Sequence, residues 1–245
     1  MKYRFPEWSY LYYADYEHCP FGERPPEEIQ ALTIAGVQKL FDAGAGIVIL
    51  ACNTASAWTL RKLQTEVFPD KKILGVTIPG AEKVVELGFK NVTVFATQQT
   101  VKSRAYAQRA RILDAEITVQ EIALSGDLVR DIEFLLPVHH CQNAEDFQEL
   151  MELYDSNGWN CDSHEWQKLV DQYFSDMPAM IDSNSQGIIL GCTHYSYLRK
   201  PLQRLFPEKV IIDPSEESAL QLAHYFSKKP DILYQIQKTG EIKFL

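Results

Sequence analysis

Gly46-Ile47-Val48-Ile49-Leu50-Ala51-Cys52-Asn53-Thr54 is the stretch on which the fold turns. An apolar, β-branched run closes there on a small residue, a cysteine and two polar residues able to cap a helix. Such a run reads as a strand buried on both faces in a parallel sheet. The pattern returns at Gly187-Ile188-Ile189-Leu190-Gly191-Cys192-Thr193-His194. Each cysteine then sits at the carboxyl end of its strand, where open α/β sheets bind ligands. Two such thiols from two halves of one chain can face each other across a cleft, one on each side of a carbon.

Outward from these motifs the chain alternates strand and helix. A short strand at 11–14 precedes the loop around Cys19-Pro20-Phe21-Gly22. Pro25 and Pro26 suit the first turn of a helix. Its apolar residues Ile29, Leu32, Val37, Leu40 and Phe41 share one face, and Gly44 ends it. Further helices are expected at 54–67, 81–87, 101–113, 127–136, 144–154, 164–174, 196–205 and 217–226. Strands are expected at 72–78, broken by Pro79-Gly80, and at 91–96, 116–122 and 210–213. The alternation predicts an α/β fold with parallel sheets.

The 245 residues carry 24 basic and 33 acidic side chains, a net charge of −9. An acidic chain without a basic stripe argues against nucleic acid as a partner. Anionic small molecules remain open, because backbone amides at a helix start can hold them. No apolar run approaches the roughly 18 residues of a membrane span, so no membrane partner is expected. The polar, aromatic N-terminus has no signal-peptide core, and a cytoplasmic location is expected. Five scattered cysteines, an odd number, read as thiols in a reducing compartment.

A cysteine that ends an apolar strand is usually a small core residue. Two copies with the same flanks, each with threonine close behind, favour chemistry instead. A thiol at a helix N-terminus has a lowered pKa, so both cysteines are expected to be partly thiolate near neutral pH and fit to move a proton. Thr54 and Thr193 are placed to hydrogen-bond a carboxylate or the sulfur, and His194 to hold or shuttle the proton of Cys192.

On these residues the chain resembles the glutamate racemase family of the aspartate/glutamate racemase superfamily. The carrying stretches are Ala51-Cys52-Asn53-Thr54-Ala55-Ser56 and Gly191-Cys192-Thr193-His194-Tyr195. Cys19-Pro20-Phe21-Gly22-Glu23-Arg24 resembles the family's proline-tyrosine-glycine substrate loop, with Phe21 in place of tyrosine. Ala96-Thr97-Gln98-Gln99-Thr100-Val101-Lys102-Ser103 resembles its alanine-threonine segment, and Ile211-Ile212-Asp213-Pro214-Ser215 its C-terminal strand with an aspartate-serine pair. Histidine after Cys192-Thr193 matches glutamate racemases, where aspartate racemases usually carry glutamate.

The resemblance implies two pseudo-symmetric flavodoxin-like domains with the active site in the cleft between them. Residues 1–78 with 197–245 would form the first domain and 79–196 the second. Cys52 and Cys192 would be the catalytic bases, with His194 assisting Cys192. Pro20, Phe21, Gly22, Asn53, Thr54, Thr97 and Thr193 would contact glutamate, and Glu133 stands for the family's mid-domain glutamate. No cofactor and no metal would be used. The implied reaction interconverts L- and D-glutamate, supplying D-glutamate for peptidoglycan. The resemblance leaves room for a homodimer.

Some features depart from the family. Its first strand, ending in an aspartate-serine-glycine turn, has no counterpart in this chain, which starts about where the family's first helix ends. A missing central strand would leave unpaired backbone edges. Three readings stay open: native residues precede Met1, the fold closes another way with altered reaction, or catalysis is lost and glutamate only binds. Racemisation of aspartate or another amino acid is a further alternative. Ser196 stands where the family has proline, and Arg104 where it has glycine. His139-His140-Cys141 and Cys161-Asp162-Ser163-His164 carry ligand-type residues, but their spacing matches no zinc pattern. His18-Cys19 reads as a loop pair, and Trp8, Tyr10, Tyr12 and Tyr13 as packing residues.

Overall fold

The computed structural model describes all residues except 139, 156–157 and 229–235. In chain order the elements are β1 (Tyr10–Tyr12), α1 (Pro26–Asp42), β2 (Ile47–Leu50), α2 (Asn53–Lys62), β3 (Lys72–Gly75), α3 (Thr77–Glu86) and β4 (Asn91–Thr97). They continue as α4 (Gln98–Ser103), α5 (Ala105–Leu113), β5 (Thr118–Leu124), α6 (Gly126–Leu135), α7 (Ala144–Glu152), β6 (Tyr154–Asp155), β7 (Gly158–Trp159), α8 (His164–Phe174) and α9 (Met177–Met180). The last are β8 (Gly187–Gly191), α10 (Arg199–Leu205), β9 (Val210–Ile212), α11 (Pro214–Lys228) and β10 (Ile242–Phe244).

The second cysteine run is β8, a central strand of a parallel sheet ordered β5-β4-β8-β9. Successive residues of a strand face opposite sides, and here both sides are covered. Phe95, Ile188 and Leu190 pack with Trp166, Val170 and Phe174 on one face. Val92, Val94, Ile189 and Ile212 pack with Tyr106 and Ala110 on the other. Double burial is why these strands read as unbroken apolar runs. Close pairing also needs a small residue: a Cβ at Gly191 would lie 2.9 Å from the Ala96 Cβ on neighbouring β4.

The first cysteine run is β2, parallel to β3. Val48, Leu50 and Ile73 face Val37, Leu60 and Leu63 of the flanking helical segments. Ile47, Ile49 and Leu74 face Trp8, Leu222 and Phe226, so α11 covers the other side. β1 pairs in parallel with β10, and the described residues show no pairing of β1 with β2. Among the described residues no helix is long and apolar enough to cross a membrane.

Several elements differ from the sequence expectation. β9 pairs with β8, so residues 210–212 belong to the sheet of the middle segment, although 197–245 was expected with the first half. Among the described residues, α11, Ile236 and β10 return there. β3 is shorter than expected, because Pro79-Gly80 lies inside the start of α3 rather than ending a strand. Proline needs no donor in a first turn. The helix expected over 101–113 is two helices, split at Arg104 with φ +58°. The chain after Cys192 is a two-turn 3₁₀ segment, Thr193–Leu198, before α10. β10 and the β6–β7 hairpin had no expected counterpart.

Candidate active site

β2 delivers Cys52 to the first turn of α2. Cys52 is extended, with φ −74° and ψ 125°, immediately before Asn53. Its sulfur accepts backbone N–H groups of Ala55 and Thr54, which favour the thiolate, but burial outweighs them and pushes the thiol up to about 11, with Cys192 adding repulsion. The expected low-pKa thiol is therefore corrected at Cys52. A helix terminus supplies a fraction of a charge, whereas desolvation can move a buried group by several pKa units.

β8 delivers Cys192 and, two residues on, His194. His194 Nδ1 lies 3.8 Å from Cys192 Sγ. Its Nε2 lies 2.9 Å from Glu133 Oε1 on α6. Burial opposes the imidazolium, but the hydrogen bonds to Cys192 and Glu133 prevail and raise His194 to about 9. In return, the hydrogen bond with His194 holds the Glu133 carboxyl below its usual range despite burial. The sequence alone placed Glu133 weakly; the structure puts it in direct contact with His194.

Three buried threonines link α2 to the start of α4. Thr54 Oγ1 lies 3.0 Å from both Thr97 Oγ1 and Thr100 Oγ1, and the latter two are also 3.0 Å apart. The Trp58 indole donates to the Gln99 carbonyl at 3.0 Å. The Tyr106 hydroxyl donates to Asn53 Oδ1 at 2.6 Å, which orients the amide beside Cys52. The loop after β1 closes on the same place: a Cβ at Gly22 would lie 2.6 Å from the Thr97 Cβ, so glycine permits this approach.

One cavity of about 580 Å³ is lined by all of these candidates: Cys52, Cys192, His194, Pro20, Phe21, Gly22, Asn53, Thr54, Thr97, Thr193 and Glu133. Residues of β1 and β2 line it as well. Sequence reasoning missed Cys19, which lines the cavity rather than forming a surface pair with His18. His18 instead pairs with Asp15 at 2.7 Å. The signal for Cys19 was its place directly before Pro20-Phe21-Gly22. Tyr106 was missed too, because nothing local marks a buried hydroxyl as the partner of an amide 53 positions away. Of the ligand-type residues outside the site, His139 lies outside the described residues, and Cys161 is buried in the apolar core.

Known proteins are similar to this chain in sequence and fold. The chain is 34% identical to a glutamate racemase of Ruegeria pomeroyi, over 94% of this chain and 80% of that protein. It is 32% identical to one of Roseobacter denitrificans, over 99% of this chain and 83% of that protein. A crystal structure of a glutamate racemase isoform from Bacillus anthracis superposes with a TM-score of 0.75 at 25% identity, covering 99% of this chain and 79% of that one. One from Francisella tularensis, in complex with D-glutamate, gives a TM-score of 0.77 at 24% identity, covering 99% and 80%. No protein-family model matches the chain.

Proposed function

Since the chain belongs to the glutamate racemase family, we propose that it interconverts L- and D-glutamate with Cys52 and Cys192 as the two bases. The observation that carries this reading is the convergence of both thiols on one cavity, each at the carboxyl end of a parallel strand. One thiolate takes the α-proton, breaking the C–H bond and leaving the pair on carbon. The opposite thiol then gives its proton to the other face of that carbon, and the charges on the two sulfurs have exchanged. The reaction written this way moves only a proton and uses no cofactor.

A racemase of this kind needs one thiol and one thiolate at a time. Mutual repulsion between Cys52 and Cys192 disfavours the doubly ionised site, as in other coupled pairs. Burial makes the Cys52 thiolate a stronger base, which suits a very weakly acidic C–H. The charged His194 can donate through Nδ1 to Cys192 as the thiolate forms. Backbone amides at the start of α2, with Asn53, Thr54, Thr97 and Thr193, would hold the substrate carboxylates. Pro20, Phe21 and Gly22 would close over the substrate side chain. The domain division is proposed between the β2–β3 half, with α11, and the four-stranded half. The proposed physiological role is supply of D-glutamate for peptidoglycan in the cytoplasm.

The test is α-proton exchange. The chain is incubated in deuterated water with L-glutamate and, separately, with L-aspartate, and deuterium uptake and D-product are followed. Deuterated D-glutamate is the expected product. A folded sample that binds glutamate without exchanging its α-proton would overturn the reading in favour of a non-catalytic binding protein. Exchange confined to aspartate would reassign the substrate.

A further inference from the structure

Cys19 is not one of the two thiols that exchange the proton, yet it joins the same hydrogen-bonded line. Its Sγ lies 3.6 Å from Glu133 Oε1. That oxygen is also the one 2.9 Å from His194 Nε2, and His194 Nδ1 faces Cys192 Sγ at 3.8 Å. Three segments distant in sequence converge here: the loop after β1, helix α6 and the turn after β8. An ionised carboxylate can only accept, so the contact has one polarity, with the Cys19 S–H donating.

We propose that Cys19 is a positioning residue of the proton-transfer machinery: its S–H, donated to Glu133 Oε1, keeps that carboxylate ionised and aimed at His194 Nε2, and so fixes which imidazole nitrogen faces Cys192. The proposal rests on the reading of Cys192 as a base. Two donors on one oxygen favour the carboxylate over the acid. A carboxylate on Nε2–H leaves Nδ1 turned toward the sulfur. Burial, then the Glu133 charge and hydrogen bond, hold the Cys19 thiol up to about 12, with Cys52 and Cys192 adding to it. Cys19 therefore stays a donor at any working pH and is a poor third base. Among the described residues, the groups that interact electrostatically with Glu133 include His140, from the segment after α6, and Tyr197, from the turn after Cys192.

The experiment follows the Glu133 carboxyl by ¹³C NMR titration in the full chain, its signal assigned by loss in Glu133→Gln, alongside the pH profile of kcat/KM for glutamate. In Cys19→Ala the Glu133 titration and the acid limb of kcat/KM are expected to move up together by roughly half to one pH unit. Cys19→Ser restores a donor, and both are expected at or below their native positions. A Glu133 titration unmoved in Cys19→Ala, or a serine variant that follows alanine, would overturn the proposal. Should Cys19→Ala fail to fold, serine against native decides: at or below supports, above overturns. A Glu133 titration that moves in Cys19→Ala as described, in a native chain that does not racemise glutamate, would sink the racemase reading while supporting the contact. A racemising chain with an unmoved Glu133 does the reverse.

Discussion

Cys52 and His194 show how the surroundings set what one side chain can do. Burial drives the Cys52 thiol up to about 11, while hydrogen bonds hold a proton on His194 up to about 9. Cys52→Ser and Cys192→Ser are each expected to lower racemisation by at least about 10²-fold, since a hydroxyl is a far weaker base at this pH. Binding of D-glutamate, measured by calorimetry, should survive in both. His194 also links the site to stability. Its folded pKa lies above the unfolded value of about 6.5, so its contribution is fully present below pH 6.5 and is lost as pH rises through 9. Chemical unfolding at intervals over that window should show stability falling by no more than about 3 kcal/mol from this group. His194→Gln should flatten the fall.

Elements meet at this site through close approaches that tolerate few side chains. The loop after β1 reaches Thr97 because Gly22 has no Cβ. Gly22→Ala is expected to push the loop off Thr97 and raise the KM for glutamate more than it lowers kcat, which steady-state kinetics would show. The break between α4 and α5 is a second such place. Arg104 holds a left-handed φ of +58°, where an L side chain is strained by about 1 kcal/mol. Its guanidinium pairs at 2.8 Å with Glu121, whose side chain is 1% exposed. Arg104→Gly would relieve the strain and strand the buried carboxylate, so we expect a net loss of about 1–2 kcal/mol in urea unfolding. In a Glu121→Gln background the same change should become neutral or stabilising. A loss of equal size in both backgrounds would show that the ion pair does not hold this turn.

The whole molecule brings both candidate thiols to one cavity where two sheet systems meet. The β2–β3 half supplies Cys52, the four-stranded half supplies Cys192, and the threonine cluster joins them. A ligand seated between both halves binds only the folded arrangement. D-glutamate is expected to raise the melting temperature in a concentration-dependent way, adding about 2.7 kcal/mol of stability at a hundredfold excess over Kd. Cys192→Ser should keep that shift, because it removes the proposed base and leaves the proposed carboxylate contacts. A melting temperature indifferent to D-glutamate would argue against a substrate site in this cleft.

By itself the sequence determined the α/β alternation, both cysteine-ended strands and the family, and it named residues that the fold gathers around one cavity. Each is written locally: an apolar run, a capping residue, a proline or glycine at a fixed offset. The 3.6- and 2-residue periods need no knowledge of partners. Only the tertiary structure decided the rest. Glu133 was offered by the resemblance alone, and packing of α6 against the β8 end brought it to His194. Cys19 was a loop residue until the same packing brought it to Glu133. β9 joined the four-stranded sheet, and β10 paired with β1 across more than 200 residues. The proton affinity of Cys52 went opposite to the helix-terminus expectation, because desolvation depends on every atom around the sulfur. Proximity and burial are sums over the folded chain, and no stretch of sequence carries them alone.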